Sequence, residues 1–72
     1  MGTVAAIGER TRVGGLALAG VVVLPAEDPG TARAAWDALP ADVVLVFLTP
    51  RAADALGDRP AAGPPLMVVL PP

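Results

Sequence analysis

Val43-Val44-Leu45-Val46-Phe47-Leu48, running straight into Thr49-Pro50-Arg51-Ala52-Ala53-Asp54-Ala55-Leu56-Gly57, contains the fold in miniature. The first six residues are continuously apolar and rich in β-branched side chains. That pattern suits a strand covered on both faces, as in a parallel sheet, better than one with a wet face. Thr49 then offers a hydroxyl to orphan amides at a helix start, and Pro50 has the fixed φ of a first helical residue. Ala52, Ala53 and Leu56 fall on one inward stripe, and Gly57 stands where a helix ends. Strand passes to helix with no turn between them, which is half of a βα unit.

The same rhythm extends outward in both directions. Asp28-Pro29 repeats the cap-and-proline start, and Ala32, Ala35, Trp36 and Leu39 follow at i, i+3, i+4 and i+7 before Pro40 stops the helix. Trp36 lies within that stripe and is expected in the core. Further strands are expected at Val4 to Ile7 ending at Gly8, at Val21 to Leu24 ending at Pro25, and at Leu66 to Leu70 closed by Pro71 and Pro72. A first helix is expected at about Thr11 to Leu18, although Gly14 and Gly15 each cost about 1 kcal/mol relative to Ala in a helix interior. The paired glycines read as permitting close helix-to-sheet approach, and Gly8 as a tight turn. Residues 57–65, rich in Gly, Pro and Ala, read as a loop. The sum is β-α-β-α-β-α-β in one domain spanning residues 1–72. Right-handed crossovers make this a four-stranded parallel sheet with helices on both faces, and order 2-1-3-4 places Val43 to Leu48 inside.

Composition narrows the chemistry. The chain has no Lys, His, Cys, Ser, Asn, Gln or Tyr. It therefore lacks the usual zinc ligands, a thiol or serine nucleophile, an imidazole base and a phosphate-loop lysine. The expectation is a non-catalytic protein with no cofactor and no metal. A net charge of −2 without a basic stripe speaks against nucleic acid. Apolar residues are 54% of the chain and charged residues 17%. A core this small cannot hide all of that apolar surface, so some of it is expected to meet a partner.

The stretch from Val13 to Ala26 carries no charge but is broken by Gly14, Gly15, Gly20 and Pro25. It is shorter than the roughly 18–20 apolar residues of a membrane span. A secretory signal is the rival reading, with Arg10 and Arg12 ahead of the apolar segment, a cleavage site after Ala26 and a mature chain starting near Glu27. Against it, Thr3 to Ile7 reads as a strand ahead of those arginines, and Glu9 sits where positive charge is expected. Ala6 occupies the Ser/Thr position of a myristoylation signal.

In parallel α/β sheets ligands collect outside the carboxyl ends of the strands. Those ends carry Gly8-Glu9-Arg10-Thr11-Arg12, Pro25-Ala26-Glu27-Asp28, Thr49-Pro50-Arg51 and Pro71-Pro72. Gly8, Gly14 and Gly15 do not fit a dinucleotide fingerprint. A response-regulator receiver needs an acidic pair, a phosphorylated Asp and a Lys, where this chain has Gly8-Glu9, Thr49-Pro50 and no lysine. Glu27 and Asp28 could be an acid/base or metal pair, but Asp28 reads as a helix cap and Glu27 as favourable charge near a helix start. Arg10 and Arg12 are either docking residues for an acidic surface or ordinary solvated charge.

Taken together, these segments resemble the F subunit of rotary V-type and archaeal-type ATPases. Val4-Ala5-Ala6-Ile7-Gly8-Glu9-Arg10 resembles that family's strand followed by Gly-Asp-Arg, and Gly15-Leu16-Ala17-Leu18-Ala19-Gly20-Val21 its Gly-Phe-x-Leu-Ala-Gly segment. Asp42 to Leu48 with Thr49-Pro50-Arg51-Ala52-Ala53 is similar to its third strand and the helix after it. Pro65 to Pro71 is similar to its last strand. The likeness runs from about Thr3 to Pro72, with Leu16 in place of the usual Phe and Thr11-Arg12 in place of Asp-Thr. Family members continue into a C-terminal helix where this sequence stops, which implies a truncated or minimal member. The resemblance implies a flavodoxin-like rotor component of the central stalk, cytoplasmic and peripheral to the membrane. Such a component docks on the D-type coiled-coil subunit of the stalk and on neighbouring rotary ATPase subunits, and helps couple ATP turnover to ion transport. Under that implication Glu9, Arg10 and Arg12 in the carboxyl-end loops are the candidate partner contacts. The competing expectation is a stand-alone flavodoxin-like regulatory domain holding a small anion at the start of helix one.

Overall fold

Two helices begin where their cap residues require. A computed structural model of the chain describes residues 2–59 and 65–72. In it the Asp28 carboxylate accepts from the Thr31 amide at 2.7 Å and the Thr49 hydroxyl accepts from the Ala52 amide at 3.3 Å. These caps open α2 (Pro29–Asp37) and α3 (Pro50–Leu56). The strands are β1 (Thr3–Gly8), β2 (Val22–Pro25), β3 (Val43–Leu48) and β4 (Leu66–Val69). They form one parallel sheet in the order β2-β1-β3-β4. The expected topology is the observed one, a small flavodoxin-like α/β domain.

Register sets Ala5 beside Val22 and Val46, Ala6 beside Val23 and Phe47, and Ile7 beside Leu24 and Leu48. Because alternate residues of a strand face opposite sides, Ala5, Ile7, Val46 and Leu48 share one face. They form the main core with Ala32 of α2 and with Ala52 and Leu56 of α3. Trp36, expected in the core, packs against it but is only half-buried. The small side chains of β1 and of the helix stripes bring the backbones close. An exposed ion pair, Arg59 to Asp37 at 3.3 Å, ties the end of α2 to the turn after α3.

The other face carries the first crossover, and here the expectation of a helix over Thr11 to Leu18 needs correction. The α-helix is a single turn, α1 (Arg10–Val13), followed by a 3-10 helix over Gly14–Ala19. Val13 is fully buried on Ala6's side of the sheet, outside the main core cluster. The glycines do not serve close packing, since a Cβ built on Gly14 or Gly15 meets nothing within 4 Å. Both glycines weaken an α-helix, and the segment takes the tighter 3-10 form. Gly20 ends the segment at φ 82°, a left-handed cap that favours glycine.

Gly8 also departs from its expected role. A Cβ there would lie 2.6 Å from Thr49 Oγ1, so glycine is required by close approach of β3's end rather than by a turn. β4 departs from the expectation that every Val-rich run is covered on both faces. Its four residues are 72%, 43%, 44% and 47% exposed in order from Leu66 to Val69. Gly57 leaves α3 at φ 54°. Most of the expected 57–65 loop, residues 60–64, lies outside the described residues.

Candidate functional site

The carboxyl ends of β1, β2 and β3 meet at one notch, and its walls bond to one another. Glu9 follows β1, and its carboxylate accepts from the Thr49 hydroxyl at 2.6 Å. Thr49 is fully buried, so one hydroxyl joins the β1 and β3 loops and caps α3 as well. From the end of β2, the Glu27 carboxylate accepts from the Arg10 amide at 2.8 Å. Glu27 thus provides favourable charge at a helix start, but the helix is α1 across the notch rather than α2 beside it. The Ala26 amide donates to the Gly8 carbonyl at 2.7 Å, closing β1 against β2. Arg12 reaches over the sheet end to donate to the Pro71 carbonyl.

Electrostatics follow from these bonds. The Thr49 hydroxyl holds the Glu9 carboxyl below its ordinary value; burial opposes it, and the Glu9 amide, Arg51 and Arg12 add lesser lowering. Asp28 is likewise lowered by its bonds from the Thr31 amide and hydroxyl. Both groups are therefore stabilised as carboxylates, the form suited to accepting hydrogen bonds rather than donating a proton.

What remains of the notch is a cavity of about 30 Å³ lined by Glu9, Glu27, Asp28, Arg51 and small residues of α2 and α3. That is room for about one water molecule. A second, open groove between α2 and α3 is lined by Pro29, Arg33, Arg51, Asp54 and Ala55. Among the described residues, no cluster of three acidic, His or Cys side chains is placed to hold a metal. No helix among them is long and apolar enough to cross a membrane.

The three residues singled out from sequence gather at this one end but do different things. Glu9 is half-buried and bonded inward, Arg12 spans to the last strand, and the Arg10 side chain is exposed. Sequence reasoning missed Thr49 as the residue joining two loops, because its role as α3's cap already accounted for it. It also missed the bond from Arg10 to Glu27, which links positions 17 apart that only the parallel crossover brings together. No family model matches this chain, and no curated protein matches it.

Proposed function

We propose that this chain is a flavodoxin-like regulatory domain that acts by docking and does not turn over a substrate. The observation that carries this reading is the filling of the notch from within. Where an α/β sheet of this kind takes its ligand, Glu9, Thr49, Glu27 and the Arg10 amide satisfy one another and leave space for a single water. An anion at the start of α1 would have to displace the Glu27 carboxylate from the Arg10 amide, and it would also face Glu9 and Asp28. The composition adds to this, since no lysine, histidine, cysteine or serine stands by to do chemistry. Thermal unfolding in rising inorganic phosphate and in sulfate tests the reading. A melting temperature that tracks ionic strength alone is expected. Saturable stabilisation by phosphate, strengthened in E27Q, would replace docking with anion sensing.

The resemblance favours a second, more specific reading: a non-catalytic central-stalk component of a rotary V/A-type ATPase, docking on the stalk's D-type coiled-coil subunit. Its support is positional. The similar segments coincide with β1 and its loop, the 3-10 helix into β2, β3 into α3, and β4. On this reading Arg10 and Arg12, with Glu9 fixing the loop between them and Thr49, meet the coiled-coil partner. Co-expression with a D-type coiled-coil protein should give a complex weakened by Arg10→Glu. Failure to co-purify would remove the rotor assignment while leaving the docking reading in place.

A further inference from the structure

The two edges of the sheet differ in what they leave uncovered. β2 has the 3-10 helix packed against it and ends in Pro25. Among the described residues, β4 is bonded only to β3 and no helix packs extensively on it. Its side chains are exposed on both faces, Leu66 and Val68 on one and Met67 and Val69 on the other. What stands bare is thus a strand edge, with main-chain donors and acceptors of its own.

The ladder fixes where those groups point. The Leu70 amide donates to the Leu48 carbonyl at 2.7 Å, while on β3 the Thr49 amide donates the other way, to the Ile7 carbonyl at 3.2 Å. Successive residues of a strand alternate in direction, so Leu66, Val68 and Leu70 turn their N–H and C=O groups toward β3. Met67 and Val69 turn theirs outward. Natural edges discourage strand addition with charge, proline or a bulge. The stretch from Leu66 to Leu70 has no charge and no proline, and Leu66–Val69 keeps an unbroken register with β3. Pro65 and Pro71 stand immediately outside it.

We infer that a second copy of β4 pairs antiparallel with this edge about a two-fold axis at Val68, joining two four-stranded sheets into one. In that register Met67 lies opposite Val69 of the second copy, and the two exchange their outward N–H and C=O groups. Val68 meets Val68 and Leu66 meets Leu70, because the stretch is Leu-x-Val-x-Leu from either end. The neighbouring registers fail. Pairing Met67 with Met67 sets Val69 opposite Pro65, and pairing Val69 with Val69 sets Met67 opposite Pro71; neither proline has an N–H to give. The Pro71 carbonyl is also already bonded to Arg12. Intermediate shifts set outward groups against inward ones. Exchanging water for a backbone partner gains little by itself, but here apolar side chains on both faces are covered at the same time. Any extended strand could satisfy the main-chain groups; the self-matched sequence between two prolines is what points to another copy. The contact uses β4 rather than the β1 and β3 loops, so it stands or falls separately from the docking proposed above.

Disulfide trapping reads both the contact and its register, because the chain has no cysteine of its own. The two Val68 residues form a non-hydrogen-bonded pair, whose Cα separation of about 4.5 Å suits a disulfide. The two Leu66 residues would lie about 13 Å apart along the strands. Under air oxidation, Val68→Cys should therefore cross-link to a dimer at least about tenfold faster than Leu66→Cys. Exposure alone predicts the reverse order, since Leu66 is the more exposed residue. Sedimentation equilibrium of the wild type from about 10 µM to about 500 µM should show monomer and dimer. Val68→Lys and Val68→Glu each set like charges opposite one another and should raise the dissociation constant at least about tenfold, with dimer restored in their equimolar mixture. Val68 is exposed in the monomer, so circular dichroism of the dilute variants should be unchanged. A wild type monomeric throughout the range would overturn the inference. So would open-ended association, or V68C cross-linking no faster than L66C.

Discussion

The chain passes from strand to helix at Gly8–Val13 and again at Leu48–Leu56, and the two junctions behave differently. At the second, Thr49 caps the helix, Pro50 fixes the first φ, and α3 runs seven residues with Ala52 and Leu56 buried. At the first, Glu9 occupies the cap position but turns its carboxylate away to Thr49, and the α-helix lasts four residues before Gly14. The acceptor that the first helix lacks comes from Glu27, a crossover away. One junction is built from local sequence and the other from tertiary contact. The stability of the first should therefore depend on residues of the second, whereas the second should withstand changes in the first.

Truncating one leucine on the helix that follows each junction gives the largest contrast. Leu56→Ala removes a side chain that is 3% exposed and in the main core. It should cost about 2–5 kcal/mol in urea unfolding, enough to unfold much of so small a domain. Leu18→Ala, at 96% exposure, should change unfolding of the dilute monomer by less than about 0.5 kcal/mol. Equal losses at the two sites would show that the 3-10 helix is held as firmly as α3.

Gly8→Ala is next in size, and it shows how the junctions meet. The added Cβ would sit 2.9 Å from Thr49 Cβ, and Thr49 is fully buried with no room to yield. Overpacking of this kind costs about 1–3 kcal/mol. Pairing it with Thr49→Ser, which deletes only the methyl group and keeps the hydroxyl, should recover part of the loss in a double-mutant cycle.

Thr49→Val keeps the shape and deletes the hydroxyl that serves both junctions. Loss of the α3 cap and of the bond to the Glu9 carboxylate should cost about 1–2 kcal/mol at neutral pH. The variant should also alter the acid limb. Glu9 and Asp28 have carboxyls lowered in the folded state, so each contributes stability that is present above the unfolded carboxylate value. That stability is lost as pH falls through the lowered folded value. Wild-type melting temperature should therefore fall as pH drops below about 4. In T49V the Glu9 share of that fall should shrink, because the hydroxyl is the main cause of its shift, while the Asp28 share persists.

These contrasts also mark what was legible in the sequence. α2, α3 and the sheet order were readable because their signals are local: Asp28-Pro29 and Thr49-Pro50 each cap and start a helix within four residues, and Val43 to Leu48 demands an inner position. The length of α1 was not, because the apolar spacing of Val13, Leu16 and Ala17 suits either a helix or a tighter turn, and nothing in that spacing chooses between them. The exposure of β4 was equally hidden. Its run of apolar residues matches β3's in type, and only counting the covering helices against the strands reveals the bare strand. At the site, Glu9 was legible as a loop acid, but its bond to Thr49 crosses 40 positions and follows only from β1 lying beside β3.

The smallest effect is the sharpest test of why the first junction breaks its helix. Gly14 has φ −56° and ψ −38°, right-handed helical values that alanine adopts without strain, and a Cβ there meets no atom within 4 Å. If glycine's backbone freedom alone ends α1, Gly14→Ala should stabilise the dilute monomer by about 0.5–1 kcal/mol and extend α-helical structure toward Leu16. Urea unfolding would register the gain, and amide exchange at Gly15, Leu16 and Ala17 the extension. A loss instead would mean that the 3-10 path is imposed from outside the segment, by the need to enter β2 at Val22. The difference between the two junctions would then originate in the sheet rather than in the glycines.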